Sequence, residues 1–98
     1  MLSGKQKRFL RALGAKEKVL VQIGKDGLSY NLFNFVDDAL RAHELVKVAL
    51  LKSCELEVRE AALETAAQSG AEIVQMIGRT FLLYKPNKEL GEKRIILP

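Results

Sequence analysis

The sequence predicts a single α/β domain, a four-stranded mixed sheet with helices packed against it, whose elements run α-β-α-β-α-β-β. Three observations carry that prediction. Short β-branched runs alternate with stretches of helical periodicity along most of the chain. A glycine-flanked turn joins the first such run to a helix. The last two long apolar runs are separated only by Gly78-Arg79-Thr80, the spacing of a hairpin. The 98 residues suit one core and one domain, with 88–98 set apart as a loosely attached tail because it is polar and charged before its last apolar residues.

Taken in order, Ser3 followed by Gln6 forms a capping box, and Phe9, Leu10 and Leu13 make one apolar stripe. Lys5, Lys7, Arg8 and Arg11 spread over the rest of that helix, and Gly14 is a natural stop. Val19, Val21 and Ile23 alternate with Leu20 and Gln22, which predicts a strand with one buried face. Ser29 is placed to cap a second helix carrying Leu32, Val36 and Leu40 at i, i+4, i+8 and ending near Ala42 or His43. Leu45–Leu51 reads as a second strand, interrupted on one face by Lys47. Val58, Ala61, Ala62, Thr65 and Ala66 give a third helix, stopped at Ser69-Gly70. Glu72–Ile77 and Phe81–Tyr84 are the closing hairpin, with Pro86 ending the last strand or demoting it to an edge. Ile95–Leu97 is expected to add extended residues at a sheet edge. There is no internal repeat and no low-complexity tract.

Charge is distributed unevenly. Residues 1–25 carry seven Lys or Arg against the single acid Glu17, residues 26–78 carry four against nine, and residues 79–98 five against two. Basic ends flanking an acidic middle point to an acidic polymer as partner if the ends share a face; an unevenly charged solvated surface is the plain alternative. No apolar run approaches the ~20 residues of a membrane span, and the basic start lacks the apolar block of a signal peptide, so the expected location is the cytoplasm, without membrane contact. The one cysteine, Cys54, excludes an internal disulfide and a multi-thiolate metal site. The one histidine, His43, suits the negative end of a helix. With no H-E-x-x-H and no complete P-loop, and with Asp37-Asp38 reading as a solvated helix face, no enzyme, cofactor or metal is expected.

One stretch stands out for chemistry: V-L-V-Q-I-G-K-D-G-L, residues 19–28. Here a strand runs through Gly24-Lys25-Asp26-Gly27 into a helix start, where unpaired backbone N–H groups attract phosphate. The two glycines allow positive φ and close approach of a ligand backbone. Lys25 adds a charge at the tip, and Asp26 opposes it. Two glycines three apart also occur in ordinary strand-to-helix turns, so the motif alone settles nothing.

Four blocks together are more specific. L-S-G-K-Q-K-R-F-L-R-A-L, V-Q-I-G-K-D-G-L, A-L-R-A-H-E-L-V-K-V and V-Q-M-I-G-R-T-F-L-L-Y-K-P resemble, in this order, the bacterial YhbY proteins, stand-alone forms of the chloroplast RNA splicing and ribosome maturation (CRM) domain. The resemblance implies a compact RNA-binding domain similar to the C-terminal domain of translation initiation factor three, with a G-x-x-G loop likened to that of KH domains. It also implies association with precursors of the large ribosomal subunit. Carried over by position, the RNA-binding residues are Gly24, Lys25, Asp26 and Gly27 of the loop, Lys5, Lys7, Arg8 and Arg11 of the basic helix, and Arg79 and Thr80 of the I-G-R-T turn. The implied partner is ribosomal RNA or its precursor, bound by a monomer.

The expected mode is binding by charge and shape, because no aromatic set of the RNA-recognition type is present. Phe9 and Phe33 lie on apolar stripes and are expected in the core. Tyr30, just beyond the loop, is the residue to test for base stacking. A DNA-binding domain and a protein-interaction adaptor using the acidic middle segment are the competing readings, separable by comparing structured RNA with duplex DNA and by pull-down after ribonuclease treatment.

Overall fold

A computed structural model describes all 98 residues. The expected order of elements is present: α1 (Gly4–Ala15), β1 (Val19–Ile23), α2 (Tyr30–His43), β2 (Leu45–Leu50), α3 (Val58–Ser69), β3 (Glu72–Ile77) and β4 (Thr80–Tyr84), followed by a 3-10 segment at Lys88–Lys93. The sheet runs β1-β2-β4-β3, with β1 parallel to β2 and the other two pairings antiparallel. A mixed sheet follows from the connections. The helical crossover through α2 returns the chain parallel, while the two-residue turn at Gly78-Arg79 can only produce an antiparallel neighbour.

Each face of the sheet is buried by different helices. On one face Val21, Ile23, Val46, Val48, Leu50, Phe81 and Leu83 pack against Leu32, Val36 and Leu40 of α2 and Ala61, Ala62 and Ala66 of α3. The small side chains of α3 let that helix lie close to its neighbours. On the other face Leu45, Val74, Leu82 and Tyr84 meet Leu10 of α1, with Leu13, Ile95 and Leu97 at the margin. The helix caps are those read from sequence: the Ser3–Gln6 capping box is complete, the Ser29 hydroxyl accepts from Leu32 N–H, and Gly70 closes α3 in the left-handed region.

Several expectations change. α1 runs through Gly14 to Ala15, and Gly14 is there for packing. A Cβ on it would collide with Leu82 Cδ2, so the missing side chain lets the helix press onto the sheet. Val19 is exposed because a bulge between Val19 and Val21 breaks the alternation that would have turned it inward. Phe9 is 37% exposed and lies on the flank of its helix, and Phe33 is only half-buried. Pro86 follows β4 without making it an edge, since β4 lies between β2 and β3. Ile95–Leu97 joins no strand. Ile95 and Leu97 instead rest on the α1-side core, and the segment is held by the carboxylate of Glu44, which accepts from the backbone N–H groups of Asn87 and Ile95. No helix is long and apolar enough to cross a membrane.

Candidate nucleic-acid interface

Parallel strands end together, and that places the glycine loop. Ile23 pairs with Leu50, so Gly24-Lys25-Asp26-Gly27 lies beside the loop that follows β2. The β3–β4 turn reaches the same end, because Ala49 pairs with Thr80 and Thr80 with Ile77. Three loops thus share one rim of the sheet: 24–29, 51–57 and 78–79.

The glycine loop is a closed turn, with Gly27 N–H donating to Gly24 O at 3.0 Å. Lys25 and Asp26 stand exposed at its tip. The two glycines are not equivalent. Gly27 has φ +63° and needs its freedom, whereas Gly24 does not lie in the left-handed region, and a Cβ on it would only touch Leu51 and Ser53 at 3.6 Å. The expectation of positive φ at both positions therefore holds for Gly27 alone. Leu28 and Ser29 separate the turn from α2, and Ser29 takes the Leu32 N–H. The donors left open at the helix start are those of Tyr30 and Asn31, in the first turn of α2. Tyr30 is 80% exposed there, and Leu28, two residues before it, is half-buried against the core.

Arg79 does not point away from the molecule as a free cation. Its Nη2 donates to Leu51 O and Cys54 O, both at 2.9 Å, and Nε donates to Leu50 O at 3.4 Å. The planar fork matches several carbonyls at once and straps the 51–54 loop, the support of Gly24, to the hairpin. Thr80 Oγ1 donates to Ile77 O at 2.9 Å, closing the hairpin turn. Sequence reasoning read Arg79 and Thr80 only as ligands. Their bonding to main chain depends on which loops meet, which spacing does not reveal.

The remaining cations lie on α1. Lys5 and Arg8 are exposed on its outer surface, Lys7 and Arg11 are half-buried on its flank, and Arg11 turns toward the sheet near Thr80. The chain contains two ion pairs, Met1 amino group to Glu72 and Arg41 to Asp38, so Lys5, Lys7, Arg8, Arg11, Lys25 and Arg79 all lack a carboxylate within 4.0 Å. Lys7 stands near Glu72, whose pKa is lowered chiefly by the Leu2 backbone N–H, then by the amino terminus and by Lys7 itself, against a partial upward pull from burial. Cys54 is a buried free thiol in the 51–57 loop, and no group of three or more His, Cys, Asp or Glu is placed to hold a metal.

The fold and this rim define a class: a small α/β domain that presents a glycine turn with Lys25 at its tip and a helix start beside it. Residues 2–85 match the CRS1 / YhbY (CRM) domain, and the chain belongs to that family. It is 42% identical to the "Probable RNA-binding protein YqeI" of Bacillus subtilis across the full length of both chains. It is 36% identical to a "Probable RNA-binding protein" of Pseudomonas aeruginosa over 95 residues, 92% of this chain and 90% of the relative. A Staphylococcus aureus protein solved in solution, named a candidate RNA binding protein, superposes with a TM-score of 0.81 at 39% identity over all of both chains. These relatives bear the names of binding proteins, not of enzymes, in keeping with the expectation that this chain is no enzyme.

Proposed function

We propose that this protein binds RNA, specifically ribosomal RNA or its precursor in cytoplasmic particles on the way to the large ribosomal subunit, and that it does so as a monomer. The observation that carries the reading is the rim itself: a glycine turn with Lys25 exposed at its tip beside a helix start, while the α1 cations, free of any acidic partner, run from Arg11 near Thr80 back toward Glu72 at the other end of the sheet. Unpaired surface cations are the groups that release counterions from a polyanion, and the names of the relatives favour RNA as that polyanion. In this mode Gly24–Gly27 lets a sugar-phosphate backbone come close, and the first-turn N–H groups of α2 meet its phosphate oxygens. Lys25 supplies charge at the tip, opposed by Asp26. The basic surface of α1 extends the contact. Arg79 and Thr80 contribute mainly by holding the loops in place.

The test is a titration of a structured RNA hairpin against the wild-type protein and Gly27→Asp across a range of salt, with duplex DNA of equal length beside it. Wild type is expected to prefer RNA and to show a steep salt dependence. Gly27→Asp, which adds bulk and negative charge at the approach, is expected to lower affinity at least tenfold while its circular dichroism remains that of a folded domain. A flat salt dependence, or full binding by a folded Gly27→Asp, overturns the proposal.

A further inference from the structure

A second surface follows from where α1 ends. Gly14 sits on Leu82, and Leu82 lies in cross-strand register with Lys47 on one side and Gln75 on the other. That row is the last one the helix covers. The next row toward the rim, Gln22–Ala49–Thr80–Ile77, has no helix above it. On the same face, the chain terminus packs at the far end of the sheet, around Leu45 and Tyr84. Between the end of α1 and this uncovered row lies an open hollow of about 270 Å³, lined by Arg11, Ala15, Lys47, Gln75, Ile77 and Thr80 among others.

The polar groups around the hollow are unspent. Lys47 stands on an interior strand, on the face that α1 covers, and is half-buried. Neither Lys47 nor Arg11 takes part in either ion pair of the chain. Gln75 makes no side-chain hydrogen bond that spends its amide, while Thr80 has already given its proton to Ile77 O and serves as wall. Two cations and one free amide converge on an open space with no anion of the protein's own.

The hollow also connects with the rim. Lys47 precedes Leu50 by three residues, and Leu50 pairs with Ile23 at the start of the glycine loop, so about 10 Å of strand separates the two. Gln22 and Ala49 floor the interval with polar or small side chains, leaving the way open for a polynucleotide backbone.

We propose that this hollow is a phosphate subsite for RNA, with Arg11 and Lys47 as its cations and Gln75 as its neutral donor, so that a strand held at Gly24–Gly27 continues over the uncovered row into it. This rests on the RNA-binding reading and adds Lys47 and Gln75 to it. The test compares wild type with Lys47→Gln, Arg11→Gln and, as a remote reference, Lys93→Gln, each titrated with the same RNA hairpin across salt. Lys47→Gln and Arg11→Gln are each expected to reduce the slope of log K against log salt by about 0.7–0.9 and to weaken binding several-fold, while Lys93→Gln leaves the slope unchanged. In wild-type protein, backbone amide NMR signals of Lys47 and Gln75 are expected to move on adding the hairpin, at concentrations where inorganic phosphate moves neither.

Wild-type slopes in Lys47→Gln and Arg11→Gln, with binding lost in Gly27→Asp, overturn the subsite and leave RNA binding at the loop intact. An equal loss in Lys93→Gln overturns it too, since the charge would then act without location. Equal shifts with inorganic phosphate show a small-anion site and not an RNA subsite. Absence of any RNA binding by wild type removes both proposals. The NMR measurement needs no variant, so a misfolded substitution does not shelter the subsite.

Discussion

The two ends of the sheet treat their polar groups in opposite ways. At the end where α2 hands over to β2, Glu44 is fully buried with φ +63°. Its carboxylate accepts from Asn87 and Ile95 N–H, its own N–H donates to Leu40 O, and its carbonyl accepts from Lys85 N–H. Nearby, Lys85 Nζ closes the last turn of α3 through Ser69 O at 2.8 Å, and Asn87 Nδ2 reaches Arg41 O. At the opposite rim Lys25, Arg11 and Lys47 have no acidic partner. Groups spent on the protein itself hold the fold, and groups left unspent are available to a ligand. The division also explains why a left-handed glutamate is tolerated, because two main-chain donors and two main-chain bonds over-determine its position.

The largest effect that tests this division is expected at Glu44. Glu44→Ala keeps the unfavourable φ and leaves two part-buried N–H groups without their acceptor. Hydrogen bonds to a charged group are worth roughly 1.5–3 kcal/mol each, and solvent recovers part of that, so a loss of about 3 kcal/mol in urea unfolding is expected. The salt slope for RNA should not move. A change in stability below about 0.5 kcal/mol, or a changed slope, would erase the contrast between the two ends.

A smaller effect separates the two glycines of the rim. Gly27→Ala forces a Cβ into the left-handed region and is expected to cost about 1 kcal/mol. Gly24→Ala finds ordinary van der Waals contact with Leu51 and Ser53, so its stability should stay within about 0.5 kcal/mol of wild type. Equal costs at both positions would mean that the turn constrains both residues alike, contrary to the asymmetry seen here.

Much of this architecture was legible in the chain because it depends on local rules. The Ser3–Gln6 box, the Ser29 cap, the Gly70 stop and the short hairpin turn before Phe81 each report on neighbours within a few residues, and all are found. What escaped depends on residues far apart in sequence. Gly14 reads locally as a stop, yet it is a contact point for Leu82, 68 positions away. Arg79 reads as a free cation until the 51–54 loop is seen beneath it. Lys47 looked like an interruption of an apolar strand, and only the end of α1 above the sheet makes it the wall of a hollow. Glu44 carried no signal at all, because a buried acid with main-chain partners has the same letter as a solvated one. The glycine loop was found from its spacing, but which glycine needs its freedom is decided by the turn it closes.

The smallest expected effect concerns the attachment of the amino terminus to β3. Glu72 accepts the Leu2 N–H at 3.0 Å and faces the terminal amino group at 3.4 Å. These contacts, with Lys7 nearby, hold its carboxyl below the ordinary range. A carboxyl whose pKa is depressed on folding stabilises the folded state above its unfolded value, near 4.3, and that contribution is lost as pH falls through the folded value. Glu72→Gln should therefore melt below wild type at neutral pH, by a modest margin because the group is well solvated, and the margin should close as the solution is acidified below about pH 4. The measurement is the thermal midpoint of both proteins from pH 7 downward. A margin that stays constant with pH would assign the effect to packing and not to charge.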